Sequence, residues 1–126
     1  MARKDAKTIE AATLGDVIRL GREVEAFTAD PLDPAEYLNS GASTEVQRFR
    51  ALLATLITTI VNIPRRADTE KDRTSRAEAE TLRTACELFE IACDQGSSTA
   101  PEAVLEIRKA MAILDAALVR FAVIAS

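Results

Sequence analysis

Two thiols and a missing imidazole bound the bond-making chemistry open to this chain. Cys86 and Cys93 are its only cysteines, and it has no histidine. Seven residues apart on a helix, the thiols would lie about 10.5 Å from each other along the axis, beyond the reach of a disulfide. They would share one helix face, where they read as small core residues. Without histidine the chain lacks the side chain whose ordinary pKa suits proton transfer near neutrality. Ser-His-Asp and Cys-His nucleophiles are excluded, as are the Glu-x-x-His ligand pairs of di-iron bundles. Two thiols alone do not complete a structural zinc site. The carboxylates follow the spacing of solvated helix faces rather than of a converging magnesium set. Gly41-Ala42-Ser43 precedes a helix but lacks the further glycines and the lysine of a phosphate loop. The sequence therefore predicts no catalytic residue, no metal and no cofactor, and a protein that is not an enzyme.

Charge offers a second kind of chemistry. The net charge of −4 gives no general attraction to nucleic acid or anionic membranes. Its distribution is uneven. Residues 48–76 carry seven Lys or Arg against three acids, a net of +4, and residues 77–103 carry one Arg against six acids, a net of −5. Arg65, Arg66, Arg73 and Arg76 gather in the basic stretch and could grip phosphates. Acids are interleaved with them, no aromatic residue stands nearby to stack on a base, and no helix-turn-helix pattern appears. A solvated loop and helix start is the stronger reading. Contact with nucleic acid, or with a nucleic-acid-binding partner through the 65–94 region, is the alternative function.

The elements that must position these residues are helices. Ala, Leu, Glu, Arg and Thr dominate and aromatics make up 4% of the chain, a composition that favours helix over sheet. Between Ala110 and Ala125 only Asp115 and Arg120 are polar. Val104, Ile107, Met111, Leu114, Leu118, Phe121 and Ala125 recur at spacings of three and four, a heptad seam. Leu105, Ile113, Val119, Val123 and Ile124 lie off that seam and are apolar as well, so this helix needs covering on several sides. A matching seam runs through Val46, Phe49, Leu53, Leu56, Ile60 and Ile63.

Punctuation sets the boundaries. Asp30-Pro31 stops a first helix, because the residue before proline is driven from the α region. Asp33-Pro34-Ala35-Glu36 opens a short one, and Thr44-Glu45-Val46-Gln47 a longer one that Pro64 closes. Gly96 ends the next, and Thr99 with Glu102 caps the last. The expected architecture is all-α: one domain forming an antiparallel up-down four-helix bundle. Its helices run over about 8–29, 44–62, 69–95 and 101–125, with a short extra helix at about 34–39 and residues 1–7 frayed. Gly15 and Gly21, inside the first helix, suggest close backbone approach or a kink. Tyr37 is expected as a half-buried lid over the bundle end.

The apolar surface exceeds what one seam covers, which predicts a protein–protein interaction or assembly module, homo-oligomeric by preference. The candidate interface is Leu118, Phe121, Val123 and Ile124 with part of Ile57, Ile60 and Val61. A small-molecule site would need a cavity lined by Cys86, Phe89, Met111 and Leu114 with convergent polar groups that the sequence does not supply. The last apolar run is interrupted by Asp115 and Arg120 and falls short of the roughly 20 residues a bilayer needs, so no membrane span is expected. No apolar stretch follows the charged start, so no signal peptide is expected and the location reads as cytoplasmic.

Overall fold

The computed structural model describes residues 12–38, 43–64, 69–94 and 100–125. Among the described residues every element is a helix: α1 (Leu14–Thr28), α2 (Pro34–Leu38), α3 (Thr44–Val61), α4 (Glu70–Asp94) and α5 (Pro101–Ala125). The chain is an all-α helical bundle. The expected fraying of residues 1–7, the loop at Gly41, Gly96 and the cap at Thr99 lie outside the described residues.

Helix starts follow side-chain capping of otherwise unsatisfied backbone N–H groups. α1 begins at Leu14 because Thr13 is extended and forms a reciprocal capping box with Asp16; the expected start at Thr8 lies outside the described residues. The Asp16 N–H donates to Thr13 Oγ1 at 3.1 Å, and the Thr13 N–H donates to Asp16 Oδ2 at 2.9 Å. An aspartate here takes the place of the Glu or Gln that usually signals such a box. At α3 the cap is Ser43, one residue ahead of the expected Thr44; its hydroxyl accepts from the Val46 N–H at 3.2 Å. Asp33 caps α2 through the Ala35 N–H at 3.0 Å, and Thr69 caps α4 through the Asp72 N–H at 3.0 Å. Within α3, Thr55 and Thr59 hydroxyls donate back to the carbonyls of Ala51 and Thr55, which satisfies polar groups on an otherwise apolar helix.

The long helices enclose one core. α4 and α5 form the most extensive pair, α1 packs on α3 and α5, and α3 packs on α4. Contacts between neighbours run antiparallel. Phe27 near the end of α1 meets Phe49 near the start of α3, with ring centroids 5.3 Å apart. Arg50 Nη2 on α3 reaches Asp94 Oδ1 at the end of α4 at 3.1 Å, and Arg120 Nε late in α5 reaches Glu78 Oε1 early in α4 at 3.1 Å. The heptad seams of α3 and α5 both point inward: Val46, Phe49, Leu53 and Leu56 are buried, as are Ile107, Leu114, Leu118 and Phe121.

Tyr37 is not a half-buried lid. It is 1% exposed and sits at the centre of an aromatic cluster. Its ring stands edge-on to Phe89 at 5.3 Å and to Phe49 at 5.7 Å, and Phe49 is perpendicular to Phe89 at 5.3 Å. The short helix α2 packs on α4 and α5 and inserts the tyrosine, whose hydroxyl accepts from the Leu32 N–H at 3.2 Å. Burial pushes the phenol pKa up, and that hydrogen bond opposes the shift.

Asp115, one of two polar interruptions in α5, has a structural partner. Buried Thr28 places Oγ1 3.0 Å from Asp115 Oδ1 and 3.2 Å from the Glu25 carbonyl, tying the end of α1 to α5. The glycines of α1 do not mark close backbone approach. A Cβ at Gly21 would meet Leu118 Cδ2 at 3.5 Å, an ordinary contact, and one at Gly15 would meet Thr13 Oγ1 at 3.5 Å. Gly21→Ala is therefore expected to stabilise the protein by about 1 kcal/mol through helix propensity. A rise in the urea midpoint at unchanged slope reads this out, and a fall would mean that α1 needs the glycine.

Candidate functional site

The outer face of the α4–α5 pair gathers exposed apolar side chains. On α5, the exposed positions from Ala112 to Val123 are Ala112, Ile113, Ala116, Val119, Arg120, Ala122 and Val123, so Arg120 is the one charged residue among them. On α4, Thr81, Thr84, Leu88 and Ile91 are exposed and recur at spacings of three and four, which aligns them along one helix line. Ile91 and Ile113 are half exposed, and Leu88 nearly so. Leu88 of α4 and Ile113 of α5 both line two neighbouring depressions. One, about 190 Å³, is bordered by Ile91, Glu106 and Lys109. The other, about 440 Å³, is bordered by Thr81, Ala116 and Arg120.

Charged residues border the two depressions. Lys109 pairs with Glu106 at 3.5 Å, and Arg120 pairs with Glu78 at 3.1 Å. Arg83 bridges Glu80 and Glu87 at 2.7 and 2.9 Å further round α4. The Lys109–Glu106 pair is exposed on both sides and contributes little to stability, whereas Glu78 in the Arg120 pair is 16% exposed. An apolar centre with a charged margin is the arrangement of protein interfaces.

The candidate interface read from sequence divides in two. Leu118 is 3% exposed, Phe121 2% and Ile60 2%: all three are core residues, not surface residues. The reason is that they belong to the heptad seams, which turn toward the bundle axis. Ile57 and Ile124 are half-buried, and Val61 and Val123 are exposed. The exposed apolar face is instead carried by Leu88, Ile91, Leu105, Ile113 and Val119. For Leu105, Ile113 and Val119 the signal was their position off the α5 seam.

The basic cluster is only partly within view. Arg65 and Arg66 lie outside the described residues. Arg73 is exposed with Glu70 at 3.7 Å, and Arg76 is half-buried on the next turn of α4. The imagined cavity around Cys86, Phe89, Met111 and Leu114 is not where those residues lie: Cys86, Phe89 and Leu114 are fully buried in the core, and Met111 lines a separate cleft. That cleft, about 540 Å³, lies between the end of α1, α2 and α5, with Pro31, Leu32 and Ile107 on its walls and Asp115 and Arg108 at its edge.

Both cysteines are buried and unbridged. Burial pushes Cys86 up to about 12, helped by Glu90 and Glu87. Burial likewise pushes Cys93 up to about 11, with Arg50 opposing and Asp94 and Glu90 assisting. Such thiols are poor nucleophiles. The folded state keeps them protonated above their ordinary value of 9.0, whereas the unfolded chain ionises there. Their contribution to stability is present below pH 9 and is lost as pH climbs through about 11 and 12. The expected result is a falling urea midpoint above pH 9 whose slope is reduced in Cys86→Ala; an unchanged slope would place the thiol in solvent.

Among the described residues no group of His, Cys, Asp or Glu could hold a metal ion. No helix among them is long and apolar enough to cross a membrane. No protein-family profile, curated protein or solved structure matches this chain.

Proposed function

We propose that this chain is a non-enzymatic interaction module that docks the outer face of α4 and α5 onto protein. The observation that carries this is the exposed apolar surface that joins Leu88 and Ile91 of α4 to Ile113 and Ala116 of α5. Single exposed apolar residues are ordinary on soluble proteins, but a contiguous face with a charged margin marks an interaction site. Backbone hydrogen bonds within each helix leave only side-chain surface to offer a partner, so affinity would come from apolar burial and specificity from the marginal charges.

Mass-resolved chromatography of the pure protein and of native lysate tests this reading. The wild type is expected above the 13.6 kDa of one chain in at least one of the two. Ile113→Glu, at a half-exposed position, is expected to return it to the single-chain mass with its helical circular dichroism unchanged. A wild type that runs as a single chain in both would overturn the docking role.

A further inference from the structure

We infer that the occupant of this face is a second copy of the chain, with the two α5 helices antiparallel about a two-fold axis that passes beside Ile113. The inference rests on the docking role proposed above and adds the partner and the geometry. Its basis is the order of residues along the face. Ile113 is flanked seven residues before by Glu106 and seven residues after by Arg120. Positions seven apart lie on one helix line within about 20°, and all three side chains are exposed. A two-fold axis beside Ile113 that reverses the helix direction brings Glu106 of each copy opposite Arg120 of the other, twice per dimer. It brings Ile113 opposite itself, with Leu88 of each copy beside it. Parallel pairing would oppose Glu106 to Glu106 and Arg120 to Arg120, which disfavours it. Ala116, exposed next to Ile113, leaves room for a helix to come close. Glu106 and Arg120 keep their pairs with Lys109 and Glu78 at the margin, where carboxylates and guanidinium groups can serve two neighbours. The patch is self-complementary, as an isologous interface requires.

Three variants read the geometry. Ile113→Cys places a thiol on the axis, and oxidised glutathione is expected to join two copies through it by thiol–disulfide exchange. The native thiols are buried and do not compete. Glu106→Arg and Arg120→Glu each set like charges against one another at both ends of the interface, and each is expected to weaken the dimer about tenfold. Mixed in equal amounts they are expected to recover it, because a heterodimer of the two restores opposite charges at both ends. Recovery on mixing is a readout that a folding defect does not produce.

A wild type at single-chain mass alone but larger in lysate would overturn this inference and leave the docking role standing. So would an assembly lost in Ile113→Glu that shows neither the cross-link nor recovery on mixing. A single-chain mass in both samples would overturn the docking role and this inference together.

Discussion

Phe49→Ala is expected to remove about 3–5 kcal/mol of stability, since the side chain is large and its site cannot collapse around the loss. Phe49 is fully buried and touches three other rings: Phe27 at 5.3 Å, Tyr37 at 5.7 Å and Phe89 at 5.3 Å. These rings come from α1, α2, α3 and α4, so one side chain couples four elements. Aromatic pairs contribute roughly 0.5–1.5 kcal/mol each beyond the area they bury, and a domain of this size has about 5–15 kcal/mol in total. The variant should therefore unfold at a much lower urea concentration. Tyr37 is the only tyrosine and there is no tryptophan, so intrinsic fluorescence reports the cluster directly. A variant with wild-type midpoint and unchanged Tyr37 emission would show that the cluster is not a structural centre.

Phe121→Asp carries the other large effect. Phe121 is 2% exposed and its neighbour on the seam, Leu118, is 3% exposed. A carboxylate introduced there has lost its water without gaining a partner, a change that costs several kcal/mol and belongs to the most damaging class of substitutions. The expected outcome is loss of the cooperative unfolding transition and of helical circular dichroism. Ile113→Glu, eight residues earlier on the same helix, is expected to leave both intact, because its side chain already faces solvent. A folded Phe121→Asp protein would mean that the seam of α5 is turned the other way, and the outer face described above would then be the core.

The contrast between these two positions shows where the sequence was readable. Helices at 44–61, 70–94 and 101–125 follow from apolar residues at spacings of three and four and from their stop signals, all local features. The cap at Thr13 is hard to read because its box uses Asp16 in place of Glu or Gln, and Ser43 caps in place of Thr44 because either hydroxyl could do so. The burial of Tyr37 is hidden from the sequence for a different reason. A five-residue helix has no face long enough to show a period, and its burial depends on α4 and α5 closing over it. The site was legible in part. The seam already separated Leu118 and Phe121 from Ile113 and Val119. Grouping Leu118 and Phe121 with Val123 as one surface ignored that separation.

The linear chain determined that this protein is helical, roughly where its longer helices begin and end among the described residues, and that it carries no imidazole. Backbone hydrogen bonding and capping operate within a few residues, so local spacing carries that information. Only the tertiary structure decided which side of α5 is inside. That helix is apolar on nearly every face, so its own pattern does not fix a direction; burial is non-directional and any covered side would satisfy it. The choice came from neighbours: α1 lies beside Leu118 at Gly21, Thr28 ties Asp115 to α1, and α4 packs along α5 more extensively than any other helix. What those neighbours leave uncovered is Ile113, on the outer line between Glu106 and Arg120.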